Sequence, residues 1–507
     1  MDNKFRIGAE SDEKLLSRAV KCWDSLAVFR EERERNKKFT YGDQWHDMIE
    51  ENGVRMSEED FIRSQGNMPL KNNLIRRLVR NVLGVFRNKW VLPRCIARDP
   101  AEYSRAATVN CLLQYNMGIN RLEELYARTM EEFLISGVAV HKKWYGRKEG
   151  RTDCWTDSIS PGNFFFDMSG RDFRGSDIAL IGEIHDMRID DILATFADSE
   201  DDIDVLTEIF NGSSACRFKS DFDDDSHRIF EIWERKKVLR LNCHDLASGR
   251  IYKTELHEKK PLRDKSSEHV VSRLIVEEEW HYSFLTADGR IIARGISPYA
   301  HGRHPYVFKA YPYIDGEIHS FVSDIIDQQK LTNRLISMYD WILRASAKGV
   351  LLFPEGALPE GADINDVADE WSRFNGLIVY RPKPGVPIPQ QISSNSTDIG
   401  ITGLLEIQMK MMEDISGVNG ALQGKLDNGS MSGTLYNQQT QNSLTALADL
   451  MKSFDDFILK ATETDADNIR QFYSPRKIYS IIGNKAGLAP DLISNADFFD
   501  SASDFSM

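Results

Sequence analysis

Long helical patterns in the second half of the chain constrain its fold more than any other feature. Apolar residues recur at helical spacing over residues 317–348, 398–418 and 434–473. A helix of about 30 residues is roughly 45 Å long, because each residue adds about 1.5 Å along the axis. Helices of that length, separated by short excursions, make a poor globular core. They predict an elongated subunit.

The stripes on these helices are partly polar. Amides interrupt them at Gln328, Gln329, Asn333, Gln438, Gln439 and Asn442. We interpret the mixed stripes as faces that pack on neighbouring subunits. Contacts between different surfaces of identical subunits close into a ring when the rotation between them permits it. The sequence therefore predicts a ring-forming subunit.

The rest of the chain divides into a helical part and a strand-rich part. Helical periodicity covers residues 11–38, 100–117 and 120–137, and a basic helix follows Leu70. Between residues 139 and 316, short alternating segments separated by turns predict a mainly antiparallel β region with two short inserted helices. The strand-like pieces VLLF, LIVY and KIYSIIG follow nearer the C-terminus. The predicted fold class is α+β.

Arginines line the basic helix opposite its apolar stripe, at Arg76, Arg77, Arg80 and Arg87. Such a face is solvated, lies at an interface or contacts nucleic acid, and we favour the first two interpretations. The chain carries a formal net charge of −14, which disfavours tight binding of duplex DNA. The same charge would suit a surface past which DNA slides without sticking.

Composition indicates a soluble cytoplasmic product. The six cysteines include no Cys-x-x-Cys pair, which predicts free thiols rather than a zinc ribbon or a disulfide framework. No apolar run approaches the roughly 18 residues that span a bilayer. The first residues, MDNKFRIGAESDEK, lack the apolar core of a signal peptide. We therefore expect no membrane partner.

The glycine-rich segment NGALQGKLDNGSMSGT at residues 419–434 superficially suggests a phosphate-binding loop. That motif needs four residues between its glycines, a Ser or Thr after the lysine, and a preceding strand. Here three residues separate Gly420 from Gly424, Leu426 follows Lys425, and a helical pattern precedes. ATP binding is therefore not predicted, and the loop must be flexible for another reason.

Metal and cofactor sites are not predicted either. The acidic stretches SEDDID and DFDDDSH lack the glycine and terminal glutamate of a calcium loop. The sequence HGRH at residues 301–304 is followed by Pro305 and indicates a turn more than a pair of metal ligands. No motif typical of a hydrolase or nucleotide-binding enzyme is present, so we predict no catalysis, no metal and no cofactor.

Six segments together resemble the portal proteins of short-tailed bacteriophages, over residues 35–482. No single segment is decisive, but all six follow the order of that family. They are FTYGDQW, RNVLGVFRNKWVLPRCIARD, EEFLISGVAVHKKWY, SISPGNFFFDMSGRDFRGSDIALIGEIHDMRIDDI, GRHPYVFKAYPYIDGEIHSFVSDIIDQQKLTNRLISMYDWIL and DISGVNGALQGKLDNGSMSGTLYNQQTQ.

The resemblance implies a portal fold and a set of partners. The chain would form a homo-oligomeric ring, a dodecamer, at one capsid vertex of the virion, after assembly in the host cytoplasm. Double-stranded DNA would pass through the ring without sequence-specific contacts. Further implied partners are the large terminase, a head-completion or tail adaptor protein, and the major capsid and scaffold proteins.

The resemblance also divides the chain into functional parts. They are the N-terminal helical part of the wing (1–138), the mainly β wing region (139–316), the first stem helix (317–348), the clip (349–397), the second stem helix (398–418), the tunnel loop (419–433), the long wing helix (434–473) and a short C-terminal segment (474–507). Portal proteins usually end in a helical crown. Here the crown is absent or its residues lie outside this chain.

Three sets of site residues follow from this division. In the tunnel loop, glycines permit backbone change, Lys425 offers a phosphate contact and Asp427 offsets it; the set is Gly420, Gly424, Lys425, Asp427, Asn428, Gly429 and Gly433. The candidates for lining the channel are Asp324, Asp327, Glu406 and Glu413. The candidates for docking the motor and adaptor at the clip are Glu355, Asp363, Asp366, Asp369, Glu370, Trp371, Arg373 and Arg381.

Two other functions compete with the portal interpretation. A head-completion or adaptor protein would not need paired stem helices around a clip. A packaging ATPase would need a strand followed by a true phosphate-binding loop. For the four stem carboxylates, the alternative to lining the channel is exposure to solvent or pairing with basic residues of a neighbouring subunit.

Overall fold

The computed structural model combines helices with antiparallel sheets, which confirms the α+β class. It describes residues 7–483 and 505–506, apart from residues 9, 173, 212–225, 247, 256–269, 349, 355–357, 359–362, 373–377, 381, 383, 386, 393–399 and 424–432. The chain forms two compact units. The first unit comprises residues 1–37, 79–323 and 421–507, and the second comprises residues 38–78 and 324–420.

The N-terminal part is mainly helical, as predicted. Its elements are α1 (Glu13–Ser25), α2 (Ala27–Tyr41), β1 (Met48–Glu51), β2 (Val54–Ser57), α3 (Glu58–Ser64), α4 (Leu74–Lys89), β3 (Ile96–Ala97), α5 (Tyr103–Asn120) and α6 (Leu122–Ser136). Capping starts two of these helices, because Asp12 accepts the N–H of Leu15 and Ser57 accepts that of Asp60. The helix predicted over residues 11–38 is divided in two at Leu26, which follows α1 as its cap residue.

The middle of the chain is mainly antiparallel β, as predicted, with two short helices. Its elements are β4 (Val138–Lys148), β5 (Arg151–Ser158), β6 (Phe164–Phe166), β7 (Leu180–Arg188), α7 (Ile189–Phe196), α8 (Glu200–Asn211), β8 (Ser226–Asp245), β9 (Ile251–Glu255), β10 (Val270–Thr286), β11 (Ile291–Ile296), β12 (Tyr306–Ala310), β13 (Pro312–Ile314) and β14 (Glu317–Ile318).

Two sheets of the first unit share a hydrophobic core. The larger has the strand order β11-β10-β8-β7-β6, with β9 also paired to β8, and the smaller has the order β12-β4-β5. All three residues of β6 are buried, and Phe166 packs against Phe308 of β12 with ring centroids 5.1 Å apart. Leu15 and Ala19 of α1 complete this core.

The C-terminal part is again mainly helical. Its elements are α9 (Ile326–Lys348), β15 (Val350–Leu352), α10 (Ile364–Ser372), β16 (Gln390–Ile392), α11 (Ile401–Ser416), α12 (Gly433–Ala446), α13 (Ala448–Phe472), α14 (Pro475–Ile482) and β17 (Phe505–Ser506), which pairs with β3. Strand β15 pairs with β16, whereas residues 378–380 of the predicted strand LIVY form no regular element.

Helix α9 begins at Ile326, so the prediction of a helix from residue 317 is wrong. Residues Glu317–Ile318 instead pair with β13. The turn before them uses the left-handed region at Asp315 (φ 53°) and Gly316 (φ 87°). His319 N–H then bonds to Tyr311 C=O at 2.8 Å, holding this stretch extended. Backbone pairing therefore overrides the helical spacing of the side chains.

One further prediction near the C-terminus is wrong, and another needs refinement. The segment KIYSIIG is helix α14, because Ser474 caps it, Pro475 occupies its first turn, and Ile478 and Ile482 are buried one turn apart. The helix predicted over residues 434–473 is two helices that meet at Leu447. Hydrogen bonds from Leu447 N–H to Ser443 C=O and from Met451 N–H to Leu447 C=O continue through this junction.

A buried ion pair fastens α13 to the smaller sheet of the first unit. Lys143 Nζ of β4 lies 2.6 Å from Asp465 Oδ2, and 2.8 Å from Thr156 Oγ1 of β5. Both charged side chains are at most 3% exposed. Burial lowers the pKa of Lys143 and raises that of Asp465, and each partner opposes the shift of the other. Removing either charged side chain would therefore leave a buried, unpaired charge and destabilise the fold.

A chain of buried amides fastens α9 within the second unit. Asn333 Nδ2 donates to Gln44 Oε1 at 2.7 Å, and Gln329 Nε2 donates to Asn333 Oδ1 at 2.9 Å. Gln329 Oε1 accepts the N–H groups of Leu74 and Ile75 at 2.9 and 3.2 Å. These are among the N–H groups that have no partner within α4. We call Gln44, Gln329 and Asn333 the amide relay.

The relay corrects the interpretation of two of the polar stripe residues. Gln329 and Asn333 were expected to face neighbouring subunits, but both are fully buried within their own chain. Ion pairs reinforce the same attachment, since Lys330 Nζ lies 2.6 Å from Asp47 Oδ2 and Arg334 lies 2.8 Å from Glu58 Oε1. Hydrogen bonds and ion pairs thus join the segment FTYGDQW, and the residues that follow it, to the first long helix.

We expect Asn333→Ala to destabilise the second unit by about 2–4 kcal/mol, because it leaves buried groups of Gln44 and Gln329 without partners. Urea unfolding would measure the change. Gln328→Ala is the matched control, since this half-buried amide lies outside the relay, and it should cost less than about 0.5 kcal/mol. Equal effects of the two variants would contradict a special role for the relay.

Asp465→Ala should destabilise the first unit by about 3–5 kcal/mol, because it strands the buried Lys143 ammonium. The double variant Lys143→Met/Asp465→Leu should lose less than Asp465→Ala alone, since it removes both charges. Thermal unfolding of both variants checks this order. A double variant less stable than the single one would show that the charges themselves stabilise the fold.

Candidate functional site

Helix α9 buries polar side chains and exposes apolar ones. Gln329, Thr332 and Asn333 are at most 1% exposed. On another face of the same helix, Leu331, Met338 and Trp341 are 40, 51 and 54% exposed. Their spacing of seven and three residues places them in one stripe. A helix in an isolated globular unit has the opposite arrangement.

Helix α11 of the same unit shows a similar inversion. Its buried stripe includes Gln408 and Ser416 beside Ile401 and Met412. The exposed large apolar residues are Leu404, Ile407, Met409, Met411 and Ile415. We call the exposed apolar residues of α9 and α11 the outer stripes. Contiguous exposed apolar surface of this kind marks a site of protein association.

The four predicted channel carboxylates lie on or beside these two helices. Asp324 and Asp327 are exposed at the beginning of α9. Glu406 is exposed on α11, and Glu413, seven residues later, is half-buried. Seven residues make almost two turns, so these two carboxylates share one face of α11. Whether any of the four faces a channel stays a prediction.

Five of the eight predicted docking residues at the clip are described by the structure. Asp363 precedes α10, and Asp366, Asp369, Glu370 and Trp371 lie on it. Asp363 N–H donates to Asp366 Oδ2 at 3.0 Å, which is part of a capping arrangement at the helix start. Asp363, Asp366 and Asp369 are exposed. Glu355, Arg373 and Arg381 lie outside the described residues.

The predicted tunnel loop is described only at its ends. Gly420 follows α11 closely, and Gly433 begins α12. The remaining residues of that set lie outside the described part of the chain: Gly424, Lys425, Asp427, Asn428 and Gly429. Helix α11, rather than a strand, precedes the segment that superficially suggests a phosphate-binding loop.

The HGRH segment forms the predicted turn, with Gly302 N–H bonded to Tyr299 C=O at 3.0 Å. His301 stacks on Tyr299, and its Nδ1 accepts the N–H of Arg303. His304 packs edge-on against Trp280, and burial lowers its pKa to about 3. The two rings therefore have structural contacts of their own.

The arginines of α4 have mixed environments. Arg87 forms an ion pair with Glu124 at 2.7 Å, and the Arg76 guanidinium lies over the Tyr41 ring at 4.9 Å. Arg80 is exposed, whereas Arg77 is half-buried. At least two of these side chains therefore contact the protein itself, in keeping with the interpretation favoured above.

Sequence reasoning missed the amide relay and a group of possible metal ligands. Gln44 was noted only as part of a short motif, because its partner Asn333 is 289 residues away in the chain. Glu183, His185 and Glu231 form a group of three metal-capable side chains among the described residues. These side chains are brought together by the pairing of β7 with β8, and the spacing of residues in the sequence does not predict that pairing.

Comparison with known families is informative over nearly the whole chain. In the part that the structure describes, no helix has the length and apolar character to cross a membrane. No curated protein matches the chain. The family model described as phage P22-like portal protein matches residues 16–493. The chain therefore belongs to the phage P22-like portal protein family.

Proposed function

We propose that this phage portal protein is the subunit of a closed ring at one capsid vertex, whose central channel conducts double-stranded DNA during packaging and ejection. The observation that carries the proposal is the inversion of α9 and α11. Both helices bury amides and expose the outer stripes to solvent in the single chain. A second copy of the same chain is the partner that covers them.

The physical reason for a ring lies in the kind of contact. Burying apolar surface contributes about 25 cal/mol per Å², so several exposed side chains per subunit supply a substantial drive for association. When one surface of a subunit packs against a different surface of the next subunit, the same contact can repeat around an axis and close into a ring. About twelve subunits would close the assembly, which is the number that the resemblance to portal proteins implies.

Within this proposal α9 and α11 are the stem helices, and residues 349–397 between them form the clip. The clip would dock the large terminase during packaging and the head-completion or tail adaptor protein afterwards. The tunnel loop at residues 419–433 would project toward DNA. The ring would also contact the major capsid and scaffold proteins, and it would belong to the virion after assembly in the host cytoplasm.

The portal would act by geometry and electrostatics, without catalysis or a cofactor. The chain has a formal net charge of −14, so an acidic channel wall would repel phosphates and let DNA slide. Asp324, Asp327, Glu406 and Glu413 would supply part of that charge. Lys425 would make weak, sequence-independent contacts with phosphate, because such contacts position DNA without reading its bases.

Light scattering combined with negative-stain imaging of the same fraction tests the ring directly. We expect closed particles with a central hole and a mass near that of about twelve chains of 58.0 kDa. A monomer that hydrolyses ATP would refute the proposal and favour a packaging enzyme. Compact oligomers without a hole would favour a head-completion or adaptor protein.

Trp341→Ser should weaken association by about 2 kcal/mol per interface, or roughly 30-fold, because it removes a large apolar group from the outer stripe of α9. The unfolding of the isolated chain should hardly change, since Trp341 is 54% exposed there. Concentration-dependent light scattering measures the association.

Two controls sharpen that experiment. Trp341→Phe keeps an apolar ring and should retain most of the association. Val276→Ser changes an apolar residue that is 60% exposed on β10, in the first unit, and should not impair the stem contact. Rings that form equally well with Trp341→Ser would remove the main support for the stem assignment.

Lys425→Ala should leave ring assembly intact and reduce retention of packaged DNA, because it removes one phosphate contact per subunit. Asp427→Ala is the matched opposite, since loss of the neighbouring carboxylate should strengthen retention. Packaged DNA per particle, with ring mass as the control, measures both. Loss of the ring with Lys425→Ala would refute the separation of DNA contact from assembly.

A further inference from the structure

Two glutamates face each other directly across neighbouring strands of the larger sheet. Glu183 of β7 is the Cα partner of Glu231 of β8. His185 lies two residues after Glu183 and therefore on the same face of β7. Like charges in directly opposed positions destabilise a sheet unless something compensates them. A positively charged group near the two glutamates would therefore stabilise this part of the sheet.

Lysine compensates one of the two carboxylates. Lys142 Nζ of β4 lies 2.5 Å from Glu231 Oε2, and His185 Nε2 lies 2.8 Å from the same oxygen. The other oxygen of Glu231 accepts the indole N–H of Trp233 at 2.9 Å. Burial raises the pKa of Glu231, but Lys142 and His185 outweigh it and hold that pKa well below its usual range. Both oxygens of Glu231 therefore have partners within the chain.

Glu183 is the carboxylate that has an oxygen without a hydrogen-bond partner. The residue is 8% exposed, and its Oε2 is buried without a hydrogen-bond partner. The distance from Glu183 Oε2 to His185 Nε2 is 3.7 Å. Burial raises the pKa of Glu183, against the opposing influence of His185 and Lys142. A buried polar atom of this kind costs free energy until a partner reaches it.

The three side chains converge at one point. One donor atom from each of Glu183, His185 and Glu231 lies within 4.8 Å of the other two. Ligand atoms around a tetrahedral zinc ion, at about 2.0–2.2 Å from it, are roughly 3.4 Å apart. The distances of 2.8 and 3.7 Å from His185 Nε2 to the two carboxylates lie on either side of that spacing.

An open cavity of about 480 Å³ adjoins the site. It is lined by Glu183 and His185, together with Asn163, Asp186, Arg188 and Ser226 among other residues. The cavity thus borders two of the three side chains, whereas Glu231 is 1% exposed and is not among its lining residues. Three protein ligands with solvent on the fourth side are the arrangement that zinc adopts in open sites.

We propose that Glu183, His185 and Glu231 bind a divalent transition-metal ion of the Zn²⁺ type, with its fourth position open to this cavity. One imidazole and two carboxylates suit Zn²⁺ better than Ca²⁺ or Mg²⁺, which prefer oxygen ligands alone. His185 would present the lone pair of Nε2 and carry its proton on Nδ1. The ion would satisfy Glu183 and join β7 to β8.

Calorimetric titration of the full, chelator-stripped chain with Zn²⁺ tests the proposal. We expect about one ion per chain. Glu183→Gln and His185→Gln should each weaken binding by more than the roughly 10–100-fold that loss of an outer-shell partner costs. Co²⁺ in place of Zn²⁺ should give visible absorption bands of a four-coordinate ion, and both variants should lose those bands.

Lys142→Met is the decisive second variant, because Lys142 and the metal ion compete for Glu231. Removing a cation so close to the site should tighten Zn²⁺ binding by roughly tenfold or more. Zn²⁺ should also raise the unfolding temperature of this variant further than that of the unchanged chain. If the three side chains had only a structural role, Lys142→Met would produce neither tighter Zn²⁺ binding nor a larger rise in unfolding temperature.

Glu279→Gln is the matched control. Glu279 and His281 form a second glutamate–histidine pair in the same sheet, 3.9 Å apart, and Arg240 is the other partner of Glu279. This variant should bind Zn²⁺ like the unchanged chain. Absence of saturable binding tighter than about 1 mM would overturn the proposal. So would equal affinity in the unchanged chain, Glu183→Gln and His185→Gln.

Discussion

The amide relay determines which face of α9 is exposed in the single chain. Gln329 and Asn333 must point toward Gln44 and the start of α4, because leaving those buried N–H and C=O groups unpaired costs about 1–3 kcal/mol each. A helix turns by about 100° per residue, so this requirement also fixes the direction of Met338 and Trp341. The exposed apolar stripe is thus a consequence of buried hydrogen bonds, and association in the proposed ring would cover it.

In the first unit, two consecutive lysines of β4 fix the position of that strand through ion pairs. Successive residues of a strand point to opposite faces. Lys142 therefore reaches Glu231 of the larger sheet, whereas Lys143 reaches Asp465 of α13. The Lys143 ammonium is buried and the Lys142 side chain is 20% exposed. The buried ammonium depends on its carboxylate, since an unpaired buried charge is strongly destabilising. The strand β4 is therefore held by ion pairs on both of its faces.

The local elements were largely predictable where side-chain period and backbone pairing agree. Helices α5 and α6 and the antiparallel middle region follow their patterns closely. The predictions fail where backbone pairing or helix capping determines the local structure instead of the side-chain pattern. Residues 317–318 have helical spacing but pair with β13, and KIYSIIG has strand-like composition but is capped by Ser474 and Pro475 into a helix. In both cases backbone hydrogen bonds at the ends of the segment outweigh the apolar pattern.

The sequence by itself determined the α+β class, the helices on either side of residues 349–397 and the order of motifs that indicates a portal protein, because these are local or sequential properties. Only the tertiary structure decided that Gln329 and Asn333 face inward, and that Glu183 and Glu231 stand opposite each other with His185 beside them. Such contacts join residues 46 to 289 positions apart. They depend on strand register and helix rotation, which are set by the packing of the whole unit and leave no periodic signal in the chain.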